Sequence, residues 1–385
     1  MRTHTILRLA APPAPSRLLF SAMVMAAGMG MAAAKDLTVA HIGPYSGPAA
    51  AVAKEYGQGA RLYFEHINAH GGVDHAKLVL AARDDRNDPD ETRKQADAAV
   101  VDGPIAFIGA FGIDSVNSLI PALARLQAPL LGPVLDSAGV SATNNPYVFH
   151  VRPTVQQEVE GAAAQLYKLG MRKIILCHRS DAGETGSNDA VDLRFHEIDK
   201  RVVAARCDVS ARGTATALDS IVAGGAQAVI FAGQTEAAAR FIKALRARGS
   251  FAMVVVTSSV DPRALVGMLP ANSAIWLAMA VDIPNASSFL WRNEAIVQEF
   301  LAIRSASQAD TPLSAAAVEG FITAKITVEA IRRAGKNPKS RDVLRALADL
   351  QQCDKHAGKV VDASGKRAAD YIRLGIIGKT GAVLN

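Results

Sequence analysis

The sequence predicts an α/β protein made of two doubly wound units, each a parallel sheet covered by helices. Three observations predict it. Short apolar runs alternate with helical patterns from Asp36 onward, and that rhythm restarts about midway along the chain. The 385 residues also exceed the ~100–200 that one domain usually holds. Half of the residues are hydrophobic and 20% are charged, a globular composition that excludes disorder.

In the first unit, LTVAHIG is a two-sided apolar strand. A helix from Ala50 to Ala69 follows and stops at Gly71-Gly72, a pair suited to positive φ. KLVLAARDD is the next strand. Asp88-Pro89-Asp90-Glu91 then opens a helix with a cap, a first-turn proline and two acids facing the dipole. PIAFIGAF, PLLGPV and YVFHVR are strands, with a helix over 115–127 between the first two. RKIILCH, RVVAARCDV, AQAVIFAG, AMVVVTS and SAIWLAMAV form the second series, with a helix over 236–248. Late helices are expected over 319–334 and 340–350. The tail from Lys359 alternates like a strand pair, with turns at Ser364-Gly365 and 378–381.

The first 34 residues stand apart. Arg2, Arg8 and Arg17 come without an acid, an apolar run covers 18–31, and Ala32-Ala33-Ala34 supplies small residues. Basic, apolar, small is the order of a secretory signal peptide, so cleavage after Ala34 and a periplasmic location are expected. The apolar run is short for a membrane span. Without those arginines the net charge drops from +6 to +3, which calls for no nucleic-acid partner. Cys177, Cys207 and Cys353 are too few for a disulfide framework. Cys177 and Cys207 lie on successive strands and pair only if those strands are neighbours. Two buried free thiols are the favoured reading.

Chemistry-bearing motifs are scarce. Gly378-Lys379-Thr380 resembles the end of a phosphate loop, but Arg373 stands where the leading glycine belongs and no helix can follow. It is a turn. His66, His70 and His75 suggest a metal but lack a fourth ligand or an HExxH pattern. No nucleophile elbow or CxxC pair occurs. No catalytic residue, metal or cofactor is expected.

The informative positions are strand ends, because ligands of open parallel sheets sit beyond the carboxyl ends of the strands. Five such ends carry small or polar residues: Gly43-Pro44-Tyr45-Ser46-Gly47, Gly112-Ile113-Asp114-Ser115, Pro133-Val134-Leu135-Asp136-Ser137, Gly233-Gln234-Thr235 and Thr257-Ser258-Ser259. Each would also serve as an ordinary turn.

With IGPYSGPAAAVAKEYGQGARLYFEHINAHGGV, DDRNDPDET, PLLGP, NPYVFHVRPT and VEGFITAKITVEAIRRAG in this order, the chain from Leu37 onward resembles the leucine/isoleucine/valine-binding protein family of ABC-transporter receptors. The resemblance implies a type I periplasmic binding fold, two lobes joined by three crossovers. The lobes would be 36–151 plus 281–360 and 152–280 plus 361–385, with hinges near 151–153, 281–284 and 360–366. It implies that the ligand meets Ile113, Asp114, Ser115, Val134, Leu135 and Asp136 in the first lobe, and Gly183, Gln234 and Ser258 in the second; Tyr45 and Ser46 join them from the strand-end reading. Amino-acid receptors of the family offer an acidic side chain and tyrosines to the α-ammonium group. Here the matching second-lobe positions look like Ser258, Gln234 and Gly183, while Asp114 and Asp136 replace small hydroxyl residues. Those departures argue against aliphatic amino acids and for a ligand that presents hydrogen-bond donors. Helix capping by Asp114 and Asp136 is the competing reading.

The expected function is non-enzymatic capture of a small polar metabolite (an amino acid or relative, an amide or an aromatic acid) for delivery to a membrane permease. The protein is expected to act as a monomer. A ligand-sensing module untied to transport is the alternative, and a periplasmic enzyme is disfavoured. N-terminal sequencing of exported protein should begin at Lys35; a cytosolic protein that keeps Met1 contradicts the leader.

Overall fold

Alternation along the first strand sets the architecture. In β1 (Leu37–Gly43), Val39 packs into one apolar cluster while Ala40 and Ile42 pack into another, so both faces of the strand are covered. The computed structural model describes residues 35–135, 145–178, 205–208, 214–352 and 372–384. It places β1 in a parallel five-stranded sheet, order β2-β1-β3-β4-β5, with β2 Leu78–Asp84, β3 Ala106–Ile108, β4 Leu130–Leu131 and β5 Val148–Phe149. One face is covered by α2 (Pro89–Asp102) and α3 (Ile113–Leu126). The other is covered by α1 (Ala50–Ala69) and by three helices from late in the sequence.

The second sheet repeats that order. β6 (Ile174–His178), β7 (Ala205–Asp208), β8 (Ala228–Ala232), β9 (Met253–Val256) and β10 (Leu277–Val281) pair in parallel as β7-β6-β8-β9-β10. Two antiparallel strands, β11 (Arg373–Ile377) and β12 (Val383–Leu384), extend it beyond β10. α4 (Val155–Lys168) packs on one face. α5 (Thr214–Ala223), α6 (Thr235–Ala247) and α7 (Pro262–Met268) take the other. The chain then returns to the first sheet as α8 (Ala295–Ala306), α9 (Ala315–Arg333) and α10 (Ser340–Gln352). This is the type I periplasmic binding architecture expected from the sequence. Among the described residues no helix is long and apolar enough to cross a membrane.

Several local expectations hold. Asp88 caps α2 by accepting from the Asp90 and Glu91 amides, and Gly71 and Gly72 both have positive φ. Gly378 to Thr380 is the turn between β11 and β12, closed by the Gly378 amide donating to the Ala382 carbonyl at 2.8 Å. Two expectations need correction. β4 and β5 are only two residues each, far shorter than their apolar runs. Cys177 is also not a free thiol: it is disulfide-bonded, and its register partner on the neighbouring strand is Cys207. Parallel pairing of β6 with β7 brings these two backbones side by side, which sequence order alone left open.

The tightest helix contact joins the ends of the sequence. A Cβ on Gly59 would lie 1.8 Å from the Ala317 carbonyl oxygen, and one on Gly320 would lie 1.9 Å from that of Tyr56. α1 and α9 therefore meet backbone to backbone. Gly59→Ala and Gly320→Ala should each destabilise the fold by about 1–3 kcal/mol or more in urea unfolding, because neither neighbouring backbone can yield cheaply. Gly267→Ala is the control: it sits in α7 with open space around it and should be neutral or gain about 0.5–1 kcal/mol.

Candidate functional site: the carboxyl edges of the two sheets

Both sheets share a switch point, where the strand order reverses. It falls between β1 and β3 in the first sheet and between β6 and β8 in the second. Ligands of open α/β sheets bind beyond the carboxyl ends at such points. The loop after β1 holds Tyr45 and Ser46, the first turn of α3 after β3 holds Ile113, Asp114 and Ser115, and the loop after β8 holds Gln234. Val134 and Leu135 follow β4, and Ser258 follows β9, one strand further out in each sheet. Asp136 and Gly183 lie outside the described residues. A cavity of about 400 Å³ lies at the opposite edge, beside Leu37 and Ile105 at the amino ends of the strands.

The loop after β1 is tied down by Asp84, at the end of β2. Its Oδ1 accepts from the amides of Tyr45 (2.9 Å), Ser46 (3.2 Å) and Arg86 (2.9 Å). Burial works against that carboxylate, but donors from Ser46, Arg86 and Tyr45 outweigh it and hold its pKa low. The neighbouring Asp85 is pushed up by burial despite accepting from Asn87 and Thr92.

Two side chains read as ligand contacts are committed inward. The Tyr45 hydroxyl lies 2.6 Å from His41 Nδ1, and His41 Nε2 lies 3.1 Å from the Gly109 carbonyl. A carbonyl only accepts, so Nε2 carries the proton and the tyrosine donates to Nδ1. His41 is fully buried, and burial lowers its pKa to about 4, with the Gly109 bond offsetting a smaller part. Ser115 is 3% exposed and lies 3.2 Å from Thr92 Oγ1, which in turn lies 2.9 Å from Asp85 Oδ2. Thr92 Oγ1 also lies 3.0 Å from the Asp88 carbonyl. Leu135 is buried among the residues beneath α2 and α3.

The other positions remain open at the edge. Ser46, Ile113, Asp114 and Gln234 are exposed, and Tyr45, Val134 and Ser258 are half-buried. Asp114 does not cap α3, which corrects the competing expectation for that residue: Gly112 is the N-cap and no side chain bonds the first amides. Asp114 sits within the first turn. The starts of α1 and α6, at Ala49 and Gln234, likewise lack a side-chain cap, whereas Asp88, Thr154, Asp261 and Ser314 cap theirs. The glycines ending β3 and β4 serve packing: a Cβ on Gly109 would lie 2.3 Å from the Tyr56 ring, and one on Gly132 2.4 Å from Thr323 Oγ1, both at positive φ.

A buried carboxylate missed in the sequence stands in the second lobe. Glu158, one turn into α4, is 0% exposed; Oε2 accepts from the Ser258 amide at 2.8 Å and Oε1 from the Ser258 hydroxyl. Glu158 shares the apolar stripe of Val155, Val159 and Ala162, and a carboxylate in such a stripe signals a buried polar partner.

The His41 histidine gives a pH dependence with a defined sign. Its folded pKa is depressed, so its contribution is complete above the unfolded value of 6.5 and is lost as pH falls toward about 4. That loss is about 3 kcal/mol. His41→Gln keeps a donor for Gly109 and an acceptor for Tyr45 without titrating. Its stability deficit against the parent, measured by urea unfolding at stepped pH, should shrink between pH 6.5 and 4.

The comparisons with known proteins agree with this geometry. The model of the family described as periplasmic binding protein matches residues 36–381. A substrate-binding periplasmic protein from Ralstonia solanacearum is 31% identical, covering 91% of this chain and 99% of that one, with a TM-score of 0.56. An extracellular ligand-binding receptor from Verminephrobacter eiseniae is 25% identical, with coverages of 91% and 100% and a TM-score of 0.57. The Leu/Ile/Val-binding protein homolog 3 of Brucella melitensis is 24% identical over 341 residues, 86% of this chain and 89% of that protein. With the parallel strands of both sheets inside the matched span, the chain belongs to the periplasmic binding protein family, in its leucine/isoleucine/valine-binding group, and is a solute-binding protein.

Proposed function

We propose that this protein captures a small polar metabolite between its two lobes in the periplasm, after removal of a leader ending at Ala34, and delivers it to an ABC permease. The amino acids and their relatives, amides and aromatic acids are the ligand class. The observation that supports this most is the family match running over residues 36–381, both carboxyl edges included. The names of two relatives, Leu/Ile/Val-binding protein homolog 3 and the Pseudomonas aeruginosa amino acid binding protein, agree with it.

The helix starts favour an anionic group on the ligand. Uncapped amides at α1 and α3 in one lobe and α6 in the other are ready-made donors for a carboxylate. Asp114, exposed in the first turn of α3, adds an acceptor for a donor on the same ligand. Rotation of the lobes would be absorbed at the crossings near 151–153 and 281–284; the third, 360–366, lies outside the described residues.

Native mass spectrometry of protein taken from its own periplasm should reveal a retained metabolite of this class. Adding that metabolite should lower the radius of gyration in small-angle scattering, and an unchanged radius at saturation contradicts closure. Asp114→Ala should weaken binding by at least tenfold, equivalent to about 1.5–3 kcal/mol, in calorimetric titration. Its melting curve should barely move, because no cap is lost.

A further inference from the structure

In a parallel sheet covered by helices, every helix-to-strand connection returns to the amino edge, opposite the carboxyl-end crevice. In the second lobe such connections lead into β6, β8, β9 and β10, which are neighbours in the sheet. At about 4.8 Å between strands, their tips fall along a line about 14 Å long. Five large apolar side chains stand exposed there: Leu169, Val222, Phe251, Met268 and Trp276. Leu169, Phe251 and Trp276 are the most open, at 65%, 68% and 63% exposure.

Charge at this edge is one-sided. Segments 168–173, 219–227, 246–251 and 268–276 contain Lys168, Arg172, Lys173, Arg246 and Arg248 but a single acid, Asp219. Asp219 is taken by Arg248 at 2.8 Å. Arg172, Lys173 and Arg246 bond backbone carbonyls, which carry no charge to cancel theirs.

Arg246 also fixes the two aromatic tips. Half-buried behind the edge, it donates from Nη1 to the Ser250 carbonyl and from Nη2 to the Ile275 carbonyl, both at 2.9 Å. Those residues immediately precede Phe251 and Trp276. Trp276 is held at φ 54°, in the left-handed region that a bulky residue rarely enters. Such strain persists only where surrounding contacts enforce it, and it clusters at functional positions. The core gains nothing from it here, because the Trp276 side chain is exposed.

We propose that this amino edge of the second lobe docks on an anionic phospholipid surface, with Phe251 and Trp276 entering the headgroup layer. Aromatic rings with an apolar body and a polar surround favour that layer, and the cations are drawn to lipid phosphates. A partner protein or a second copy would need a surface shaped to this row of tips, whereas a fluid headgroup layer fits around it. The carboxyl edge stays free, so docking here is compatible with solute capture.

The full mature chain is sedimented with vesicles of phosphatidylglycerol and phosphatidylcholine, and with vesicles of phosphatidylcholine alone. Binding should be at least tenfold tighter to the anionic vesicles and should be lost in about 0.5 M salt, where exposed charges are screened. The chain has two tryptophans and Trp291 is fully buried, so a blue shift of emission on binding reports Trp276. Trp276→Asn should weaken binding at least tenfold without lowering the melting temperature, because asparagine tolerates positive φ. Lys168→Glu, at an exposed position, should weaken binding as well and leave the fold alone. No sedimentation with anionic vesicles, equal binding to both kinds, or binding that survives both substitutions overturns the proposal. So does a lipid-free dimer in analytical ultracentrifugation that Trp276→Asn dissociates, since a second copy would then cover this edge.

Discussion

The ion pair between Arg152 and Glu319 holds together segments that are far apart in sequence. Nε and Nη2 of Arg152 donate to the two oxygens of Glu319 at 2.7 and 2.8 Å, and Nη1 donates to the Leu135 carbonyl at 3.2 Å. One guanidinium thus joins the end of the first sheet, the first crossing toward the second, and α9 after the chain has returned. Glu319 is 1% exposed, and burial raises its pKa while Arg152 offsets part of that rise. Arg152 itself is held above its ordinary value by Glu319 although burial acts the other way, so it stays charged at any accessible pH. Removing Arg152 would leave the buried Glu319 without its ion-pair partner, at a cost of about 3–5 kcal/mol. The pairing makes geometry more than net stability, since a forked contact fixes the angle at which the crossing leaves the lobe.

That constraint depends in turn on α9 lying hard against α1, where Gly59 and Gly320 let the backbones touch. The first lobe is therefore closed by a helix that begins about 250 residues after the end of the one it packs on, with the second sheet made in between. Such a discontinuous lobe forms only after the intervening sheet has been synthesised. It also leaves the crossings as the segments that carry any relative motion of the sheets.

Much of the fold was legible because local rules sufficed. Two-sided apolar strands marked parallel sheets, and Asp88-Pro89 marked the start of α2. Neighbour relations were not legible. Cys177 and Cys207 meet in register because β6 pairs with β7, and the shared strand order of the two sheets emerges only from that pairing. The short β4 and β5 have the same cause: pairing, and not apolarity, decides where a strand ends, and only two residues of each make the ladder. In the site, the positions after the strands were readable and the directions of their side chains were not. Tyr45 and Ser115 looked like crevice residues, yet the hydroxyl of each is hydrogen-bonded to a buried neighbour, His41 and Thr92. Glu158 was overlooked because it lies in a helix and far from Ser258 in sequence, although its place in an apolar stripe was the available signal.

These proton commitments bear on how the two edges divide recognition between them. In the first lobe, Asp84 and His41 take the amides of Tyr45 and Ser46 and the Tyr45 hydroxyl, so the outward groups include the backbone amides at the starts of α1 and α3, which donate, and the Asp114 carboxylate, which accepts. In the second lobe, Glu158 accepts from both the amide and the hydroxyl of Ser258. Fixed hydroxyls and amides discriminate better than free ones, because a rotatable hydroxyl would serve a donor or an acceptor with little penalty. On the receptor reading, side chains behind the edges, His41, Asp84 and Glu158, orient the groups that stand at them.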